Sequence, residues 1–169
     1  AYQRYGLAAN RAGTYSATFR TICRKYPHKT PEAILADLVA STPGEEGKWF
    51  AAAKDAKCYD LALRLAQKSP VDHRTLIRAA ADFAASEPSF ALHCGLMALY
   101  WICAGRAYDV TTVEILTAYD LILRAAEAAQ CRDNTIKQLQ QLLARFPQER
   151  LVKGALASAA ELWRIDPTA

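Results

Sequence analysis

The chain has 169 residues, 52% hydrophobic and 22% charged, with a formal net charge of +4. That length sets one domain as the default and allows enough apolar burial to fold without disulfide or metal staples. No stretch approaches the roughly 18 apolar residues of a membrane span, and Arg4 and Arg11 interrupt any apolar core of a secretory signal.

The chain starts at Ala1 rather than Met, which reads as a piece of a longer protein. The basic residues Arg4, Arg11, Arg20, Arg24, Lys25 and Lys29 all precede the first carboxylate, Glu32. The positive charge is thus local to a segment spanning residues 1–29, and the rest of the chain is slightly acidic. Tyr5, Ala8, Ala12, Tyr15, Phe19, Ile22 and Tyr26 recur at helical spacing, which predicts an amphipathic helix ending at Pro27. Gly6 and Gly13 are the points where it would break in two.

Thr30-Pro31 starts the next helix, with Thr30 as cap and Pro31 in the first turn. Thr42 and Glu45 have capping-box spacing before a helix carrying Trp49 and Phe50, and Lys57-Cys58 is the turn that follows. A helix from Tyr59 to Lys68 stops before Pro70, and Asp72 caps another. From Phe90 to Cys103 the pattern is apolar nearly all round, which predicts the buried centre of the domain; Gly95 marks close contact with a neighbouring helix, and Gly105 ends the segment. Thr111 and Glu114 form a second capping box, with Val110 and Ile115 as its hydrophobic staple. That helix runs to about Gln130. Asp133-Asn134 caps one reaching Phe146, and a last one covers Arg150 to Trp163. The expectation is all-α: eight or nine antiparallel helices, as hairpins stacked into a short right-handed solenoid or a bundle, in one domain over 1–169.

Chemistry-bearing motifs are sparse. Gly44-Glu45-Glu46-Gly47-Lys48 lacks the spacing and the preceding strand of a phosphate loop, and its two carboxylates would repel phosphate. His28, His73 and His93 are far apart and form no HxxxH or ExxH pair, so no metal or other cofactor is expected. The five cysteines, Cys23, Cys58, Cys94, Cys103 and Cys131, contain no CxxC and read as thiols of a reducing cytoplasm. No Ser or Cys has the context of an activated nucleophile, which argues against an enzyme.

Tyr59-Asp60-Leu61-Ala62-Leu63-Arg64-Leu65-Ala66-Gln67 returns as Tyr119-Asp120-Leu121-Ile122-Leu123-Arg124-Ala125-Ala126-Glu127, sixty residues on. Phe90-Ala91-Leu92 with Gly95 echoes Leu61-Ala62-Leu63 with Ala66, at an offset of twenty-nine. A period near thirty is the mark of stacked helical hairpins. With Lys48-Trp49-Phe50, then Tyr59, Ala62 and the Pro70 stop, residues 45–130 resemble tetratricopeptide-like repeats. There is no Gly before Tyr59, and Met97–Trp101 is more apolar than a regular repeat. The resemblance implies a groove that binds a peptide or protein segment.

The functional expectation is a non-catalytic binding or scaffold module with a protein or peptide partner. The candidate surface is Arg4, Arg11, Arg20, Arg24 and Lys25, with Lys48 and Trp49 as groove residues; planar arginine donors suit carboxylate or phosphate. Nucleic-acid binding through the basic helix is the alternative, with aromatics available for stacking. A purely structural role is the third reading.

Overall fold

The computed structural model describes residues 6–7 and 13–159. The described residues contain no strand. They form nine α-helices and one 3-10 turn: α1 (Tyr15–Lys25), α2 (Pro31–Ala40), the 3-10 turn Glu46–Trp49, α3 (Phe50–Asp55), α4 (Tyr59–Lys68), α5 (His73–Phe83), α6 (Pro88–Cys103), α7 (Thr112–Ala128), α8 (Arg132–Arg145) and α9 (Leu151–Ala155). They divide into two units, one up to Val71 and one from Asp72 onward.

In the N-terminal unit the chain enters α1 at Thr14, just after Gly13, where the sequence allows a break. The Thr14 hydroxyl accepts the Ala17 N–H, and Thr30 caps α2 in the same way through Ala33. Phe19 and Ile22 of α1, Ile34, Leu35 and Leu38 of α2, and Trp49 and Phe50 form the core, with Ala62, Leu65 and Ala66 of α4 also buried. The expected capping box at Thr42 and Glu45 does not form. The Thr42 hydroxyl donates to the Leu38 carbonyl and accepts the Trp49 indole N–H at 2.7 Å, while the Glu45 carboxylate holds Tyr15 and Lys48. Gly47 is a point of close backbone approach in this unit. Its N–H donates to Ser69 Oγ at 2.7 Å, and a Cβ there would collide with the Ser69 carbonyl and lie 2.6 Å from that of Pro70.

The C-terminal unit is built around α6, whose buried residues run from Phe90 to Cys103 on nearly every side. It packs along α5 and α7, each joined to it by a short connection, and also touches α8 and α9. Gly95 makes the close approach to α7 that its place in an apolar helix predicts. A Cβ there would sit 2.6 Å from Ile122 Cγ1. The capping box of Thr111 and Glu114 forms in both directions. By contrast α8 starts about two residues earlier than expected, with Cys131 as the flanking residue and Asp133 inside the first turn. In the last segment the helix ends at Ala155, and Trp163 lies outside the described residues.

Two hairpin corners are built alike. Lys57 and Gln130 each take a positive φ after the helix end, and the next residue, Cys58 or Cys131, donates its N–H back to the Ala53 or Ala126 carbonyl at 2.9 Å. Each cysteine then flanks the start of the following helix. The third such corner, at Gly105, uses the residue that adopts this conformation without strain. The nine-residue echo is also a packing echo. In both copies the fourth, seventh and eighth positions (Ala62, Leu65 and Ala66; Ile122, Ala125 and Ala126) are buried, and the second, sixth and ninth are exposed.

Candidate functional site

Helical periodicity sorts α1 into two faces. Thr18, Phe19 and Ile22 are buried, whereas Arg20, Arg24 and Lys25 are exposed. Arg20 and Arg24 lie one turn apart, and the Arg24 Nε–H donates to the Arg20 carbonyl at 3.5 Å. Arg24 and Lys25 occupy the last turn, where the negative end of the helix dipole favours cations. Arg4 and Arg11 lie outside the described residues.

Five of the six carboxylates of the same unit are committed elsewhere; the sixth, Asp60, is exposed at the start of α4. Glu32 accepts from the Cys58 thiol, Asp37 pairs with Lys29 at 3.1 Å, and Glu46 accepts the Gly44 N–H. Glu45 pairs with Lys48 at 2.6 Å and Asp55 with Lys54 at 2.9 Å. Among the described residues no carboxylate pairs with Arg20 or Arg24, so their guanidinium groups keep donors for an outside acceptor.

Lys48 and Trp49 part company. Lys48 is exposed, held by Glu45 and lying over the Tyr15 ring at 5.6 Å. Trp49 is 3% exposed and stacks edge-on to Tyr15 at 4.7 Å, its indole N–H satisfied by Thr42. As an expected groove residue Trp49 is therefore corrected to a core residue: its ring presents no open face. Tyr15 is likewise committed. Its hydroxyl donates to Glu45, and that bond, with some burial, raises its pKa. The phosphate-loop look-alike is a helix entry. The Gly44 and Gly47 N–H groups bond Glu46 and Ser69, and Lys48 is neutralised.

A second polar cluster, in the C-terminal unit, adds Arg74 and the Asp109 carbonyl to the expected Thr111–Glu114 capping box. Arg74 Nε donates to Glu114 Oε1 at 2.6 Å and an Arg74 terminal nitrogen donates to the Asp109 carbonyl at 2.9 Å. Glu114 Oε2 accepts the Thr111 N–H and hydroxyl. The Arg74 bond, then the Thr111 N–H, hold the Glu114 carboxyl at about 2. The signal available in sequence was the capping box alone, because Arg74 lies forty residues away. No three His, Cys, Asp or Glu among the described residues group as a metal site, and no described helix is long and apolar enough to cross a membrane. Comparison with protein-family models, with curated proteins and with solved structures finds no match for this chain.

Proposed function

We propose that the chain is a non-catalytic binding module whose basic α1 face docks an acidic segment of a partner protein. The observation that carries this reading is the pair Arg20 and Arg24: exposed, one helical turn apart, and without a carboxylate among the described residues while five of their unit's six carboxylates serve other partners. Two guanidinium forks at that spacing suit carboxylates displayed along a peptide. The aromatics favour protein over single-stranded nucleic acid. Among the described aromatics of this unit, Phe19 and Trp49 are buried and the Tyr15 hydroxyl is engaged, which leaves fewer rings for a strand of bases to stack on. The likeness of residues 45–130 to stacked helical hairpins supports a scaffold role. Buried thiols at Cys94 and Cys103 fit a reducing compartment, and we assign the module to the cytoplasm.

The test is fluorescence anisotropy with a Glu-rich peptide and, in parallel, an oligothymidylate of matched charge. The peptide is expected to bind, and the double variant Arg20→Ala, Arg24→Ala to weaken it roughly three- to thirty-fold, the range of two exposed charge-assisted contacts. Peptide affinity unchanged in the double variant, or tighter binding of the oligonucleotide with a steep salt slope, rejects the reading.

A further inference from the structure

His73 opens α5 and is 1% exposed, yet neither ring nitrogen has a hydrogen-bond partner among the described residues. A buried polar group left without a partner is costly. Its surroundings suggest why the cost is tolerated. Asp72 Oδ2 lies 4.0 Å from Nδ1, and Glu114 Oε2 lies 3.5 Å from Nε2, so a carboxylate stands off each edge of the ring.

We propose that His73 is a proton-operated clasp between the starts of α5 and α7, the imidazolium bridging Asp72 and Glu114. A neutral imidazole has one N–H and one lone pair. Whichever tautomer forms, a lone pair faces a carboxylate. Uptake of one proton from solvent turns that repulsion into a second N–H donor and gives each edge an acceptor. Three groups or effects oppose the charge: burial, the positive end of α5, and the Arg74 guanidinium on the other oxygen of Glu114. Asp72 is itself the cap at that helix end, and Arg74 is drawn outward to the Asp109 carbonyl, with the Asp109 carboxylate acting on it as well. No charged side chain of α6, which packs along α5, pairs with the ring among the described residues.

The inference is independent of the docking face on α1 and stands or falls separately. It is tested on the full chain, labelled with ¹⁵N-histidine, by long-range ¹H–¹⁵N spectra from pH 5 to 8.5, with His73→Leu used to assign the signal. Both ring nitrogens of His73 are expected to read as protonated at the acid end, and Glu114→Gln to move the proton loss to lower pH. The melting temperature of the wild type should also exceed that of His73→Leu by more at pH 5.5 than at pH 8. A single neutral tautomer across the whole range, or a titration that Glu114→Gln leaves in place, overturns the clasp. The wild-type spectrum decides this even where a variant fails to fold.

Discussion

Two kinds of backbone constraint act at single residues, and they predict opposite responses to substitution. Lys57 and Gln130 hold positive φ values of 61° and 55°, a region where a Cβ crowds the following carbonyl. Glycine relieves that crowding, so Lys57→Gly and Gln130→Gly are each expected to raise stability by about 0.5–1 kcal/mol, read as a higher urea midpoint at unchanged slope. At Gly47 and Gly95 the limit is space. Gly47→Ala drives a methyl into the backbone carbonyls of Ser69 and Pro70, which no rotamer change relieves, and should cost about 3 kcal/mol. Gly95→Ala meets the Ile122 side chain instead, so its cost of about 1–3 kcal/mol should shrink in combination with Ile122→Ala. Additive losses in that double variant would show that α6 and α7 do not touch there. Gly95 and Gly105 were legible in the sequence because a glycine in or just after an apolar helix has few other reasons to exist. The turn at Lys57 and the helix end at Gln130 were legible too, but not their positive φ, because residues of their type rarely adopt that conformation and leave no signal of it.

The helices themselves follow from local chemistry, and the failures of local reading are where a side chain is claimed from far away. Thr30, Asp72 and Thr111 each accept the N–H three residues on, as their sequence contexts predict, and Thr14 does the same where the structure starts α1. Thr42 has equally good spacing to Glu45, but the Trp49 indole takes its hydroxyl and Tyr15 takes the carboxylate. The same competition buries Trp49, which the repeat-like pattern placed in a groove. Glu114 shows the reverse case, a predicted cap that also bonds Arg74 and so ties α5 to α7. Its carboxyl is lowered from about 4.5 to about 2, so the stabilisation it supplies is complete above the ordinary value and is lost as the pH falls through about 2. Glu114→Gln should therefore lower stability by about 1–3 kcal/mol at neutral pH, and its difference from the wild type should narrow between pH 5 and pH 2 in acid-unfolding curves. A difference that stays constant over that range would mean that the carboxylate charge contributes nothing to the tie.

At the scale of the molecule the charge divides as the structure does. Up to Val71 the sequence has 11 Lys/Arg against 6 Asp/Glu; from Asp72 it has 10 against 11. The excess that suggests an acidic partner thus belongs to the unit that carries α1, which the sequence already showed; the division into two units was not legible, because the segment around Pro70 reads as one more short turn. The other unit is distinguished by its interior. Cys103 is buried at the end of α6, and desolvation pushes its thiol up to about 12, so almost no thiolate exists near neutral pH. Reaction with an aromatic disulfide then requires α6 to open, which makes Cys103 a reporter of this unit's stability. Under conditions where opening is fast relative to labelling, Glu114→Gln should accelerate labelling of Cys103 by about five- to 150-fold, the kinetic counterpart of the 1–3 kcal/mol loss argued for that charge. Mass spectrometry of the digested protein reads the site directly. Labelling of Cys103 at the rate of an unfolded chain in the untouched protein would contradict the burial of α6 on which the whole C-terminal core depends.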